Sequence, residues 1–344
     1  MARCLQLAIN GRSNVFPNPV VGAVIVHAGR IIGEGFHSAC GSSHAEVIAI
    51  QSVADKSLLN ESTLYVSLEP CSHYGKTPPC ADLIIKWNIP EVVIGIQDPF
   101  PEVAGKGIAR LRAAGIKVHV GVLEDECRKI NNRFFTFYLK KRPFVILKWA
   151  QTADGFIDRL RDSIQNPPAI ISNKLTQIQL HKFRSQVSGI LVGTATALKD
   201  NPALTVRLWK GRNPVRIVID RKLRIPGHYH LFDGQVQTLV FTDADKHSDN
   251  ENIEYITTDF SADIIPQILE QLYRRNIQSV LVEGGKITLD RFIACDCWDE
   301  ARIEIGAMRF GKGVPTPVCC GEVMKIQKYG DATILSIKNN RQQI

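Results

Sequence analysis

Two short motifs constrain the fold of this 344-residue chain more than any other feature of its sequence. One is H-A-E at His44–Glu46, and the other is P-C-S-H-Y-G-K-T-P-P-C at Pro70–Cys80. The run Thr63–Leu68 before the second motif has the pattern of a β-strand, and the two prolines before Cys80 favour a helix start there. A helical pattern also begins at His44. The motifs therefore place an imidazole and two thiols at strand and helix ends, as an α/β fold does.

These side chains have the composition of a hydrolytic zinc site. His44, Cys71 and Cys80 supply three ligands, which leave a fourth position for a water whose pKa zinc lowers to ~7. Zinc nucleobase deaminases use the same ligand types, with a glutamate two residues after the histidine as proton shuttle. Glu46 has that spacing, so we expect it to be the general acid and base. The alternative is two ordinary buried cysteines, a capping histidine and a solvated first-turn glutamate.

Length and composition predict a soluble protein of two domains. The chain is 44% hydrophobic and 22% charged, and no apolar run approaches the ~20 residues of a membrane helix. No export signal is visible, and an odd number of cysteines, nine, fits reduced thiols in the cytoplasm. The net charge of +8 is spread along the chain, which favours a phosphorylated small molecule over nucleic acid as the partner. We therefore expect neither nucleic-acid nor membrane binding.

The first half has the pattern of a hairpin followed by alternating helices and strands. A short helix is predicted at Met1–Gly11, and the hairpin strands at Val20–Val26 and Arg30–Phe36. The strands Thr63–Leu68 and Glu91–Ile96 then alternate with helices, and a last strand follows. This order predicts a three-layer α/β domain.

A second domain is predicted to begin at residue 143. Glu124–Tyr138 has the pattern of one helical stretch, and Arg142-Pro143 interrupts that pattern, which gives domains 1–142 and 143–344. The second half restarts with a strand at Pro143–Ala150 and continues to alternate helices and strands. From Trp298 onwards only strands and turns are predicted.

Six sequence motifs together resemble one enzyme family, the bifunctional riboflavin-biosynthesis deaminase/reductases. The deaminase half is matched by E-P-C-S-H-Y-G-K-T-P-P-C, by P-N-P-V-V-G at Pro17–Gly22 and by Q-D-P-F-P at Gln97–Pro101. The reductase half is matched at Leu147–Gly155, Gly193–Arg207 and Val282–Gly285. The resemblance implies a cytidine-deaminase-like domain followed by a dihydrofolate-reductase-like α/β domain.

The resemblance also implies two reactions, and cofactors for both. The first is zinc-dependent deamination of 2,5-diamino-6-(5-phosphoribosylamino)pyrimidin-4(3H)-one, with one Zn²⁺ per chain, and the second is reduction of the ribosyl side chain to ribityl by NADPH. We expect a homo-oligomer. One alternative is a single-function nucleobase or tRNA deaminase with an unrelated C-terminal domain. Another is a nucleic-acid-binding protein with a structural zinc, which needs a fourth ligand.

Residue roles beyond the zinc site come from the resemblance. In the first half, Asn18 is expected to contact the pyrimidine or ribose, Lys76 to bind the phosphate and His73 to be a loop or substrate residue. The residues assigned to the dinucleotide are Ala150, Thr196, Asp200, Gly285, Lys286, Ile287, Thr288, Leu289, Asp290 and Arg291. The residues assigned to the reductase substrate are Lys148, Asp154, Arg184, Leu204, Arg207 and Glu283.

Physical reasons support several of these assignments. Lys148 is expected to end a strand and Asp154 to follow it, in a loop where α/β sheets place ligands. Arg184 and Arg207 can clamp a phosphate bidentately. Glu283 is followed by two glycines that let a pyrophosphate approach the next helix start.

Two stretches of the second half are not assigned to a site. The family often has Trp-Ile-Thr or Trp-Ile-Ser where this chain has Ile170-Ile171-Ser172, so the cofactor contact of that tryptophan is not carried over. The C-x-C and C-C spacings are poor for a second zinc site. Buried free thiols are therefore predicted at Cys295, Cys297, Cys319 and Cys320.

Overall fold

The computed structural model describes residues 1–12, 14–72, 74, 78–101, 103–161 and 166–342. The chain divides into two compact units, Met1–Lys140 and Lys141–Ile344. Each unit has its own sheet and its own apolar core. The predicted functional boundary between residues 142 and 143 lies beside this division and stays a prediction. Within the described residues, no helix is long and apolar enough to cross a bilayer.

The first unit is built on a five-stranded sheet with the order β2-β1-β3-β4-β5. Its strands are β1 Gly22–His27, β2 Arg30–Phe36, β3 Thr63–Leu68, β4 Glu91–Ile96 and β5 Lys117–Val120. Its helices are α1 Ala2–Ala8, α2 Ala45–Ser52, α3 Cys80–Lys86, α4 Lys106–Ala113, α5 Glu124–Ile130 and α6 Asn132–Lys140. β1 is antiparallel to both of its neighbours, whereas β3, β4 and β5 are parallel.

Helices cover both faces of this sheet, as the burial of β1 shows. Ala23 and Ile25 belong to the core cluster that includes side chains of α2, α3 and α4. Val24, between them, packs instead with Cys4 and Leu7 of α1. Because successive strand residues point to opposite faces, the two clusters lie on opposite sides of the sheet. This is the predicted three-layer α/β arrangement.

The second unit is built on a nine-stranded sheet with the order β11-β10-β9-β8-β12-β6-β13-β16-β15, beside a two-stranded ribbon of β7 and β14. Its strands are β6 Phe144–Gln151, β7 Phe156–Asp158, β8 Gly189–Gly193, β9 Val215–Ile219, β10 Thr238–Thr242, β11 Ile253–Thr257, β12 Ser279–Val282, β13 Glu300–Ile305, β14 Val314–Pro315, β15 Glu322–Tyr329 and β16 Ala332–Lys338. Its helices are α7 Lys174–Arg184, α8 Thr194–Asp200, α9 Ile264–Arg274 and α10 Lys286–Ala294. The strands from β11 to β13 are parallel, and β16 and β15 continue antiparallel.

The central strands of this sheet are buried on both faces. Val145 and Leu147 of β6 belong to one core cluster, and the alternate residues Phe144 and Ile146 to another. Near-continuous apolar strands of this kind are typical of parallel sheets covered on both sides. Such sheets bind ligands beyond the carboxyl ends of their strands, and β6, β8 and β12 end side by side there.

The predicted elements differ from the structure in a few places. The helical stretch Glu124–Tyr138 is two helices, which separate at Asn131. Lys148 lies inside β6 rather than at its end. The strand β11 and the helix α9 were not predicted, although α9 buries an apolar face of five residues: Ile264, Ile265, Ile268, Leu269 and Leu272.

Candidate active sites

The predicted zinc ligands lie together in the first unit. His44 directly precedes α2, Cys71 follows β3, and Cys80 is the first residue of α3. The His44 Nδ1 atom lies 3.5 Å from Cys71 Sγ and 3.3 Å from Cys80 Sγ. Zinc bonds of ~2.3 Å to sulfur and ~2.0 Å to nitrogen, at a tetrahedral angle, hold these atoms roughly 3.5 Å apart. The three side chains therefore fit a zinc ion.

Glu46 lies in the first turn of α2 and is buried, with 3% of its surface exposed. Burial raises the pKa of its carboxyl group to about 7, and the negative charge of Cys71 adds to the rise. The pKa of the Cys71 thiol is lowered, chiefly by its hydrogen bond with the Cys80 thiol. The burial of Glu46 excludes the alternative of a solvated helix residue, and a pKa near 7 suits both uptake and release of a proton.

Asn18 is linked to this site through a histidine that sequence reasoning missed. The Asn18 Nδ2 atom lies 3.0 Å from His37 Nε2, and His37 Nδ1 lies 3.1 Å from the Ser43 carbonyl oxygen. A carbonyl only accepts, so Nδ1 carries the hydrogen and Nε2 accepts from the Asn18 amide. The His37 and His44 rings are in edge contact, with centroids 5.5 Å apart.

A pair of buried carboxyl groups follows β3 and β4. Glu69 accepts the backbone N–H groups of Asp98, Gly105 and Ile108. Burial raises the pKa of Asp98 to about 7, and the negative charges of Glu69 and Cys71 contribute. Asp98 belongs to the Q-D-P-F-P motif but received no role from sequence. The predicted residues His73 and Lys76 lie outside the described residues.

The second unit has a cavity of about 1210 Å³ beyond the carboxyl ends of β6, β8 and β12. Of the residues predicted to bind the dinucleotide, those that line this cavity are Ala150, Thr196, Asp200, Gly285, Lys286, Ile287, Thr288, Leu289 and Arg291. Asp290 does not line it and instead accepts a hydrogen bond of 2.7 Å from Lys286 Nζ. Of the predicted substrate residues, Lys148 and Glu283 line the cavity.

The backbone at one side of the cavity leaves little room for side chains. A Cβ atom at Gly193 would lie 2.4 Å from Thr288 Oγ1, and one at Gly285 would lie 2.9 Å from Thr196 Oγ1. Gly284 has a φ of +116°, which favours glycine. The N-terminus of α10 begins directly after this stretch, and its free N–H groups and dipole favour a phosphate. The residues therefore fit the pyrophosphate of a dinucleotide.

Four predicted substrate residues are placed differently from expectation. The guanidinium of Arg184 makes a bidentate pair with Glu283, with Nε–Oε1 and Nη2–Oε2 distances of 2.9 and 2.6 Å. Arg184 therefore does not join Arg207 in an open phosphate clamp. The side chain of Leu204 packs in the apolar core beneath α7. Neither arginine lines the cavity.

The fourth of these residues, Asp154, fixes a turn instead of facing the cavity. Its carboxylate accepts the Thr152 hydroxyl group and the backbone N–H groups of Phe310 and Gly311. These bonds, led by that of Thr152, lower the pKa of Asp154 to about 2.

Several residues of the cavity were missed from the sequence. Arg161 is buried between Asp158 and Asp200, at 2.7 Å from each. Arg221 follows β9 and lies over the Phe260 ring. Arg221 could have been predicted as a cavity residue, because it is a basic residue that follows the end of a strand. Arg161 lies in a loop where the sequence has no recognisable motif. Ile170, Ile171 and Ser172, which were left unassigned, also line the cavity.

The four cysteines of the second unit are free, as predicted, but the prediction that they are buried is wrong. Cys295, Cys297 and Cys319 are half-buried and Cys320 is exposed. Among the described residues, the group of His44, Cys71 and Cys80 alone brings three metal-binding side chains together.

Fold and sites together define a two-domain enzyme, a zinc-dependent deaminase joined to a reductase. The sequence model of the cytidine and deoxycytidylate deaminase zinc-binding region matches residues 1–96, and that of the RibD C-terminal domain matches residues 143–339. The chain belongs to the RibD family, the bifunctional deaminase/reductases of riboflavin biosynthesis. The alternative of a deaminase with an unrelated second domain is not supported, because both halves match.

Relatives match over nearly the whole chain. Riboflavin biosynthesis protein RibD of Aquifex aeolicus is 38% identical over 322 residues, which cover 91% of this chain and 88% of that protein. RibD of Escherichia coli is 33% identical over 335 residues, covering 90% and 88%. A crystal structure from Thermotoga maritima, of a diaminohydroxyphosphoribosylaminopyrimidine deaminase/5-amino-6-(5-phosphoribosylamino)uracil reductase, has a TM-score of 0.87 at 40% identity and covers 98% of this chain and 97% of that one.

Proposed function

We propose that residues 1–142 deaminate 2,5-diamino-6-(5-phosphoribosylamino)pyrimidin-4(3H)-one and that residues 143–344 reduce the ribosyl side chain of the product. The observation that carries the first step is the cluster of His44, Cys71 and Cys80, with their metal-binding atoms within 4.8 Å, beside the buried Glu46. The second step is supported by the cavity at the strand ends and by the start of α10. The Thermotoga relative carries both activities in its name.

In deamination, the chain supplies ligands, a proton carrier and contacts to the pyrimidine. His44, Cys71 and Cys80 hold zinc, which lowers the pKa of a water molecule when it is bound. Glu46 takes a proton and delivers it to the ring nitrogen and then to the departing ammonia. Asn18 is oriented by His37 and presents its amide oxygen to the substrate. Lys76 binds the phosphate group as a point charge.

In reduction, the chain binds the dinucleotide and supplies one proton. NADPH supplies a hydride when it is bound. Opening of the ribosyl ring breaks the bond between C1′ and the ring oxygen, the oxygen takes a proton, and C1′, now doubly bonded to nitrogen, takes the hydride. Lys148 lines the cavity with 12% of its side chain exposed, and we assign it as the proton donor. Thr196, Gly285 and the first turn of α10 hold the phosphates of the cofactor.

One experiment tests both steps. The protein is incubated with the diaminopyrimidine phosphate, with and without NADPH, and the products are identified by mass. We expect release of ammonia and a ribosyl product without NADPH, and a ribityl product when NADPH is present. Ammonia release without any NADPH oxidation would refute the second half of the proposal, and an unchanged substrate would refute the first.

We further propose that the chain forms a homo-oligomer through the edge of the second sheet. β15 is an edge strand, and it exposes half or more of the side chains of Val323, Met324 and Ile326. An apolar edge strand of this kind favours pairing with another chain, and a second copy offers the same edge. Sedimentation of the purified protein tests the proposal, and a monomer at micromolar concentration would refute it.

A further inference from the structure

The second unit contains a buried carboxylate that the proposed reaction does not yet use. Glu304 lies in β13, which pairs in parallel with β6 so that Glu304 is opposite Ala150 and Arg302 is opposite Lys148. The side chain of Glu304 is 3% exposed. Its Oε2 atom accepts the Ser172 hydroxyl at 2.8 Å, and its Oε1 atom has no hydrogen-bond partner among the described residues. A carboxylate this deep needs a positive charge nearby.

Lys148 provides that charge. Its Nζ atom lies 3.9 Å from Glu304 Oε2, which is an ion pair and too long for a good hydrogen bond. The charged groups that act on Lys148 come from three elements: Glu283 after β12, Arg184 of α7, and Arg302 and Glu304 of β13.

These charges are not equally available to Lys148. Both oxygens of Glu283 accept hydrogen bonds from Arg184, so Glu283 shares its charge between Arg184 and Lys148. The guanidinium of Arg302 lies over the Phe183 ring, 4.6 Å from its centroid. The carboxylate of Glu304 is bonded to Ser172 instead of an arginine, and its charge adds to the larger effect of Glu283 on Lys148. Burial lowers the pKa of Lys148, and the negative charges of Glu283 and Glu304 oppose that effect.

We propose that Glu304 is a positioning residue for the reduction: its negative charge keeps the Lys148 ammonium protonated and directed into the cavity. Glu304 does not line the cavity and acts through Lys148. The Ser172 hydroxyl holds the carboxylate by a hydrogen bond, and the pairing of β13 with β6 sets the position of Glu304 beside Lys148. This inference rests on the role proposed above for Lys148 as proton donor.

The test is the pH profile of kcat for NADPH oxidation on deaminated substrate. Glu304→Gln keeps the shape of the side chain and removes its charge. A charge about 4 Å away shifts a pKa by roughly one unit or more, so the alkaline limb of the profile should move to lower pH by about that amount. Glu304→Asp keeps the charge and should restore most of the shift. Ser172→Ala removes the hydrogen bond but not the charge, and should leave the limb near its wild-type position.

The outcomes separate this inference from the function on which it rests. An alkaline limb that Glu304→Gln left unmoved would overturn the inference. The same holds if kcat fell by an equal factor at every pH. A Ser172→Ala limb that moved as far as that of Glu304→Gln would also overturn it, because the hydrogen bond and not the charge would then matter. Circular dichroism and urea unfolding of the same variants report whether the second unit folds. If Glu304→Gln does not fold, Glu304→Asp decides: it keeps the charge and should keep the wild-type limb. A wild-type enzyme that did not oxidise NADPH would instead refute the reductase function itself.

Discussion

Single residues of the zinc site could be predicted from the sequence because two short motifs contain all of them. His44 and Glu46 share one helix turn, and Cys71 and Cys80 flank one loop between β3 and α3. Within each motif these spacings are local, although His44 meets Cys71 and Cys80 across 27 and 36 residues. Glu304 could not be predicted in this way. It meets Lys148 only because β13 pairs with β6, and no spacing in the sequence encodes that register.

The two thiols are expected to be required for metal binding. Cys71→Ser and Cys80→Ser each leave two ligands, which do not hold zinc tightly, so zinc content should fall from about one per chain to well below that value. Metal analysis after dialysis checks this. Cys4→Ser, at a buried thiol outside the cluster, is the matched control and should keep its zinc. Zinc retained in full by both site variants would contradict the ligand assignment.

Glu46→Gln is expected to separate zinc binding from proton transfer. The amide occupies the same space but cannot carry a proton, so zinc content should stay normal while deamination falls by about 10²–10⁴-fold. The measurement is ammonia release from the diaminopyrimidine phosphate. Glu34→Gln, at a partly exposed residue paired with Arg3, serves as control. A Glu46→Gln enzyme with near-native ammonia release would show that another group moves the proton.

At the scale of elements, strands and helices with a clear period were predicted well. The bounds of β3 and β4 agree with the strands predicted at Thr63–Leu68 and Glu91–Ile96. Errors arose where tertiary contacts overrode the local pattern. The helical stretch before the boundary separates at Asn131 because its amide bonds both backbone groups of Val20. Arg184 was expected to face a phosphate, but in the fold it lies beside Glu283, which is 99 residues away along the chain.

The turn held by Asp154 makes the second unit sensitive to acid. The pKa of Asp154 is lowered to about 2 in the folded chain, against an ordinary value of ~3.9. Because the pKa of Asp154 is lower in the folded chain than in the unfolded chain, the ionised carboxylate stabilises the fold above about pH 4. This contribution is lost as the pH falls towards 2. Asp154→Asn should therefore unfold at lower urea than wild type at pH 7, and the difference should shrink at about pH 2.5. A difference that stayed constant or grew on acidification would contradict the assignment.

At the scale of the whole molecule, the chain consists of two compact units with separate cores, and the residues proposed for each reaction lie wholly within one unit. Each unit is large enough to fold around its own core. Damage to one active site is therefore expected to leave the other reaction intact.

Glu283 offers the sharpest probe of this independence. Glu283→Gln keeps an acceptor for Arg184 but removes the charge beside Lys148, so NADPH oxidation on deaminated substrate should fall by about tenfold or more while ammonia release stays unchanged. Glu46→Gln should do the reverse. The two rates are measured on the same preparations, and Glu270→Gln, at an exposed pair with Arg274, controls for loss of a surface charge. If Glu283→Gln abolished both rates while the protein stayed folded, the two reactions would be coupled, and the division into independent catalytic domains would be wrong.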